Sequence, residues 1–376
     1  MAKRTEQKAG FSFDGPRSVK AAEHASAIDL LNRTLRPGGP PSILQEYPLV
    51  LSERNLRNMR VIVHDGRVVS HAAVYFSNLR TQDAILRVGC IGSVATDPEY
   101  RGRGLASRVV GDCLDLMREA GCHVAVLWTQ RHSFYRRLGL EAAGSEYLFR
   151  LTIADIADEP LCRVAPYDPK HLAGIMRIHE GESLRTERSR REYEEYFSIP
   201  KARTLVGLRG DLVTAYAVLG KGEDFKGCVH EWGGDPADLF HLVRKLAVSA
   251  GLKEVLILAP AAVNPFVDVL MSKRVPYLLE HLAMMKVIDA AALSRVVDSY
   301  FFPQASSHFG IISDDRGIWI HVGKEGAHLE RENMLVRLMF GPERASGILK
   351  AAPPDMIRTL ERFFPIPLFI WGLDSV

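Results

Sequence analysis

The stretch that most constrains this chain runs from Val94 to Ala106 and reads Val-Ala-Thr-Asp-Pro-Glu-Tyr-Arg-Gly-Arg-Gly-Leu-Ala. Ahead of it the sequence is β-rich and alternating. Behind it Leu105, Val109, Cys113, Met117 and Ala120 step by three or four and share one helical face. Ser107, Arg108, Asp112, Asp115 and Glu119 fall off that face, and Gly121 stands where a helix-ending residue belongs. A glycine-rich turn therefore sits between a strand and a helix N-terminus. Its glycines permit a tight bend in which successive N–H groups face one concavity. The helix dipole adds partial positive charge there, and Arg101 and Arg103 add full charges. Together these features predict a pyrophosphate cradle.

The turn is not a P-loop, because no Gly-Lys-Ser/Thr follows, and it is not the dinucleotide fingerprint, because Ser107 holds the third glycine position. The pattern Arg-x-x-Gly-x-Ala, Arg101 to Ala106, instead resembles the coenzyme A loop of the GNAT acyltransferases. Further on, His123 to Trp128 reads as a strand. Ser133-Phe134-Tyr135-Arg136-Arg137-Leu138-Gly139-Leu140 then resembles the Phe-Tyr-x-x-x-Gly-Phe motif of the same superfamily, with Leu140 for the last Phe. The resemblance implies acetyl-CoA held by Val94, Ala95, Thr96, Arg101, Gly102, Arg103, Gly104, Leu105, Ala106 and Ser133. It implies a strand at Val94 to Thr96 that splays from its neighbour, so that backbone groups meet the pantetheine amides and N–H groups polarise the thioester carbonyl. It also implies Tyr135 as general acid. An unperturbed phenol pKa of ~10 is not far above that of a thiol, so proton transfer is near balance.

The chain has 376 residues, enough for two or three domains, with 47% hydrophobic and 25% charged residues. A net charge of +3 and the absence of a basic stripe with interleaved aromatics argue against a nucleic-acid partner. Five cysteines without paired spacing (Cys90, Cys113, Cys122, Cys162 and Cys228) fit reduced thiols and a cytoplasmic location. No Cys/His cluster suggests a metal. Lys3, Arg4 and Lys8 have no apolar core behind them, so no signal peptide is expected. The most apolar run, Phe363 to Leu373, is far short of the ~20 residues that span a bilayer, so no membrane partner is expected either.

Taken in order, the first residues are polar and expected to be mobile. Ala27 to Leu35 reads as a helix and Pro37-Gly38-Gly39-Pro40-Pro41 as a loop. In the resembled fold that region borders the acceptor pocket. Arg60 to His64 and Val68 to Phe76 read as strands joined at Asp65-Gly66, and Ile85 to Val94 continues the sheet. Elements then repeat. Strands at Asp211 to Val218 and Cys228 to Trp232 precede a helix capped by Asp235 with Pro236 at its first position. Leu239, Val243, Leu246 and Ala247 form that helix's buried face, Gly251 ends it, and Val255 to Leu258 is the next strand. Where the first copy has its basic cradle, the second has Gly233-Gly234-Asp235-Pro236, and Met271 falls near the position of Tyr135. The second copy is expected to bind no coenzyme. Arg188-Ser189-Arg190-Arg191 before Glu192, Glu194 and Glu195 reads as a solvated helix face.

In the last block His308 to Ser313 and Gly317 to Val322 read as a hairpin. Helical pieces follow at Asn333 to Phe340, Glu343 to Leu349 and Pro354 to Phe364. Two GNAT copies and a small α+β tail resemble the enhanced-intracellular-survival family of acetyltransferases, whose tail is a sterol-carrier-protein-like domain. The expected fold class is α+β with mixed sheets. The expected domains are 1–151 (catalytic GNAT), 152–289 (degenerate GNAT) and 290–376 (sterol-carrier-like). The resemblance implies an N-acetyltransferase for a small-molecule or peptide amine, assembled as a homo-oligomer that in the family is a hexamer. The rival reading is a coenzyme A sensor or scaffold without turnover. The C-terminus is apolar from Phe363 to Leu373, so it should be docked rather than frayed. The family implies that the terminal carboxylate, here that of Val376, serves as base, with Asp374 as the alternative acid.

Overall fold

A computed structural model describes residues 12–82, 84–156, 162–301 and 307–376. The chain start that the sequence suggests is mobile lies outside these residues up to Phe11. The first sheet grows from a hairpin. Strands Met59–His64 and Arg67–Thr81 pair antiparallel around Asp65 and Gly66, both left-handed at φ 46° and 73°, the conformation that a tight two-residue turn between right-twisted strands requires. Asp14–Ser18 adds an edge strand, and Ala84–Thr96 and Val124–Leu127 follow on the other side. The His24–Leu35 helix buries Ala27, Leu30 and Leu31, and the Leu105–Glu119 helix buries Leu105, Val109, Val110, Cys113, Leu114 and Met117.

A second sheet contains Arg163–Pro166, Arg203–Arg209, Leu212–Lys221, Asp224–Gly234 and Glu254–Pro260, with the Pro236–Ser249 helix packed on it through Leu239, Leu242, Val243, Leu246 and Ala247. The last block holds a three-stranded sheet (Phe309–Asp314, Gly317–Val322 and Glu325–Leu329) with helices at Leu335–Phe340, Ala345–Ile348 and Pro354–Phe363. Its third strand and the Ala290–Phe301 helix before it have no counterpart in the sequence reading.

The linear boundary at 151/152 does not coincide with sheet membership. Glu146–Thr152 pairs with Glu254–Pro260 and Tyr277–Glu280 in the second sheet. Reciprocally, Ala283–Val287 inserts between Val124–Leu127 and Glu141–Ala143 in the first. Each copy thus donates a strand to the other's sheet. Single-strand patterning cannot reveal this, because a buried strand reads the same whichever sheet receives it.

The C-terminal run crosses from the third block back to the other two. Phe364, Ile366, Leu368, Phe369, Ile370, Trp371 and Leu373 are buried. The Trp371 indole N–H donates to the Leu184 carbonyl at 3.0 Å, and its ring meets that of Trp232 edge-on at 4.9 Å. The apolar end is docked, as its composition requires.

Candidate functional site

Tight pairing between Ala84–Thr96 and its parallel neighbour Val124–Leu127 covers Val88 to Cys90 only. Beyond Cys90 the first strand runs on to Thr96 beside Arg67–Thr81, and the parallel partner diverges. A cleft opens there on the turn that follows. Ser93 sits at the bend with φ 53°, and the His71 ring takes the Ser93 carbonyl at 2.8 Å. Burial lowers the His71 pKa to about 4, so the ring is neutral and donates that hydrogen bond. The sequence reading missed this brace, since a lone histidine in a strand carries no distinguishing signal.

The cleft is a cavity of about 500 Å³ lined by Val94, Ala95, Thr96, Arg101, Gly102, Gly104, Leu105, Ala106 and Tyr135 from the sequence-predicted set. Thr34, Leu35, Tyr100, Ser107, Arg131, Phe134 and Arg137 complete it. Arg103 and Ser133 are exposed and are not part of this lining. Gly102 and Gly104 both have φ 75°, and a Cβ on either would meet nothing within 4 Å, so the turn faces open space. Gly104 is the N-cap of the Leu105–Glu119 helix and carries no capping side chain. The first N–H groups of that helix are therefore left for an anion from outside. Arg101 leans back to the Thr96 carbonyl at 3.3 Å, and Arg131 and Arg137 bring charge from the opposite wall. This is the donor set a pyrophosphate needs, and the splayed strand offers the edge a pantetheine arm needs. The residues present fit acetyl-CoA.

Tyr135 lies in the short His132–Arg136 helix, mostly buried, with its ring edge-on to Phe134 at 4.8 Å. Burial raises its pKa, against the electrostatic pull of Arg131. It therefore keeps its proton at neutral pH and can donate it.

The last residue arrives from the other side of the same strand. A Cβ on Gly92 would lie 2.5 Å from the carboxyl carbon of Val376, so the glycine makes room for the chain end two residues before Val94. Asp374 is placed differently. Arg188, buried rather than on the solvated face suggested by its sequence, donates to both Asp374 oxygens at 2.8 and 2.6 Å and to both Glu231 oxygens at 2.7 and 3.0 Å. An aspartate held in a buried ion triad is an anchor, not a free base. Only the exposed pairs Arg190–Glu194 and Arg191–Glu195 match the expected charged face.

The second copy has a cavity of about 430 Å³ at the corresponding place, lined in part by Trp232, Gly234, Asp235, Asn264 and Phe266. Met271 lies in the Pro265–Ser272 helix, with no tyrosine in that helix. Among the described residues no group of three or more His, Cys, Asp or Glu is placed to hold a metal, and no helix is long and apolar enough to cross a membrane. All five cysteines are free thiols.

A splayed strand, an uncapped glycine turn and a tyrosine on the His132–Arg136 helix are the features that the resemblance to GNAT acyltransferases implies. Residues 16–143 match the family model for the acetyltransferase (GNAT) domain. Over the whole length the fold is shared with a GCN5-related N-acetyltransferase from Kribbella flavida (TM-score 0.67, 16% identity, 98% of each chain). It is shared equally with one from Anabaena variabilis (0.69, 13%, 98% of this chain and 100% of that one). The fold is likewise shared with Eis1 from Mycobacterium abscessus (0.62, 16%, 97% and 98%). These identities establish the fold. In sequence, glucosamine 6-phosphate N-acetyltransferase from Trypanosoma brucei brucei is 34% identical over 79 residues. That match covers 20% of this chain and about half (53%) of the relative's length.

Proposed function

We propose that this chain is an acetyl-CoA-dependent N-acetyltransferase in which an amine attacks the thioester directly within a ternary complex. The observation that carries the reading is the meeting, in one cavity, of an uncapped helix N-terminus at Gly104 and a protonated tyrosine at position 135. Acetyl-CoA supplies the activated acetyl group. The Leu105 helix end with Arg101, Arg131 and Arg137 binds the pyrophosphate. Backbone groups at Val94 to Thr96 orient the arm and polarise the carbonyl. Tyr135 holds a proton at Oη for the leaving thiolate. The carboxylate of Val376, set against Gly92, accepts the proton of the incoming amine. Buried Asp374 is not proposed for that role.

The second domain is proposed as a structural copy without coenzyme, and the last block as sterol-carrier-like in form, with no lipid role. We place the protein in the cytoplasm as a homo-oligomer; a single monomer mass by light scattering at micromolar concentration would reject the assembly. The acceptor is a small-molecule or peptide amine, and no nucleic acid is involved. The named substrate of the trypanosomal relative puts phosphorylated amino sugars on the test panel beside polyamines, aminoglycosides and lysine peptides.

The test is thiol release from acetyl-CoA with that panel. Tyr135→Phe should lower kcat by roughly 10²–10⁴-fold with coenzyme affinity unchanged. Bound acetyl-CoA with no release for any amine favours the alternative, a coenzyme A sensor or scaffold. Appending three residues after Val376 moves the carboxylate without removing a side chain. Turnover should collapse while coenzyme binding stays, and unchanged turnover takes Val376 out of the mechanism.

A further inference from the structure

The second domain, which needs no cation for a coenzyme of its own, buries one almost completely. Lys221 ends the Leu212–Lys221 strand and is 1% exposed. Its ammonium faces four acceptors, all within the last five residues of the chain. These are the carbonyls of Gly372 and Leu373, both at 3.1 Å, the carbonyl of Ser375 at 2.6 Å and its Oγ at 3.2 Å. The Tyr47 ring, from the first domain's loop, covers the ammonium at 4.6 Å. Burial lowers the Lys221 pKa to about 7, and in either protonation state the buried nitrogen has N–H donors that need acceptors, which these carbonyls supply. Carbonyls at the end of a helical turn, here Gly372–Asp374, in turn need donors from outside it.

The neighbouring anchors act earlier in the tail. Trp371 is tied to Leu184, and Asp374 to Arg188. Lys221 grips the Ser375 carbonyl, one residue before the terminal carboxyl group, and so sets the direction in which the chain leaves the turn. The same hairpin reaches the acceptor side of the first domain. Asp224 accepts hydrogen bonds from Arg36 at 2.6 Å and from the Tyr47 hydroxyl at 2.5 Å. One turn of the inactive copy thus holds both the loop after the first helix and the chain end.

We propose that Lys221 is a positioning residue for acyl transfer: by gathering the carbonyls of Gly372, Leu373 and Ser375 it places the Val376 carboxylate against Gly92. The proposal rests on the reading of that carboxylate as the base. It gives the second domain a part in the reaction of the first without any ligand of its own.

The experiment is a double-variant cycle on the full chain, using thiol release from acetyl-CoA with the fastest amine of the panel. Lys221→Met should lower kcat by roughly 10²-fold, the scale of a ~1 Å misplacement, with KM for acetyl-CoA changed less than twofold. In protein extended by three residues after Val376 the same substitution should add less than a twofold loss, because the group it positions has already been moved. A purely structural lysine would cost the same factor in both backgrounds, and that result overturns the proposal while leaving the carboxylate reading intact. A harmless extension overturns the carboxylate reading and the proposal with it. Should Lys221→Met fail to fold, Lys221→Gln, which keeps two donors, runs the same cycle. It should show a smaller kcat loss that again vanishes in the extended protein.

Discussion

The two copies of the fold differ at the turn between strand and helix. In the first, Gly104 caps the helix with no side chain, and its φ of 75° turns the chain toward open space. In the second, Asp235 caps the helix and takes the N–H groups of Ala237 and Asp238 at 2.9 and 3.1 Å. Pro236 then removes a further donor at the first helical position. The preceding Gly234, at φ 106°, is pressed onto the backbone of Thr214 and Ala215. The same local fold is thus an uncapped helix N-terminus in one copy and a self-satisfied cap in the other. The lesson is that a helix N-terminus offers its charge outward only where no residue of its own has taken it.

The strongest way to break the contrast is to write the second turn into the first. Gly104→Asp puts a carboxylate at the N-cap; an added Cβ meets nothing within 4 Å, but the φ of 75° strains any side chain there, so Gly104→Asn, of the same shape without the charge, is the control. The carboxylate competes for the helix N–H groups and repels the pyrophosphate. A like-charge penalty of several kcal/mol corresponds to a Kd for acetyl-CoA raised more than ~10²-fold by calorimetry. Native-like affinity in a folded variant would remove the cradle from the binding site. Substitution at Gly234 is no control for this, because its side chain would meet the Thr214 backbone whatever its charge.

Gly92→Ala probes the proposed base, the carboxylate of Val376. The three atoms nearest to its methyl group would all belong to Val376, so the chain end is what must shift. Turnover should fall by about 10²-fold with acetyl-CoA affinity unchanged. Equal losses in both would mean that the strand itself had been distorted.

The glycine turn, the place of Tyr135 in the same cavity and the order of elements were legible in the sequence because each has a local signature: glycines at left-handed positions, a period of three to four, a Pro after an Asp. The exchanged strands 146–152 and 283–287 were not, because pairing partners are chosen by tertiary packing. Arg188 shows the same limit. Flanked by charges, it reads as surface, yet its partners Glu231 and Asp374 lie far along the chain and make it a buried ion triad. Lys221 is likewise an ordinary strand-end lysine until the C-terminal turn is packed on it.

Buried histidines extend the comparison to pH. The first copy buries His71 against Ser93, and the second buries His230 against the Gly220 carbonyl at 3.0 Å. Desolvation lowers their pKa values to about 4 and about 3. The unfolded chain, with histidines near pKa ~6.5, then binds more protons than the folded one below that pH. The stability these neutral rings contribute is complete above about pH 6.5 and is lost as pH falls toward about 4. For the two together the slope is up to about 2.7 kcal/mol per pH unit. Urea denaturation at pH 6.5 and 5 measures it. His230→Gln should reduce the dependence by one proton's share, about 1.4 kcal/mol per unit; a slope unchanged by that substitution assigns the acid sensitivity elsewhere.

The smallest effect is the reverse exchange in the second copy. Asp235→Ala removes the cap and frees the N–H groups of Ala237 and Asp238. It also removes the weaker of two ion pairs made by half-exposed Arg209, whose 2.9 Å bond to Asp238 remains. Loss of an N-cap costs about 1 kcal/mol, and a solvent-screened pair adds little. Unfolding midpoints should therefore shift slightly and turnover hardly at all. The sharper readout is stoichiometry. If an uncapped helix end were sufficient for binding, the variant would gain a second coenzyme site. The comparison says otherwise: Pro236 still lacks an N–H, Gly234 is still pressed on Thr214, and no counterparts of Arg101 and Arg131 line the second cavity, whose one arginine, Arg177, is turned to the Val213 carbonyl at 2.7 Å. Calorimetry should find one acetyl-CoA per chain before and after the substitution. Two would show that the acid at position 235 by itself silences the second domain.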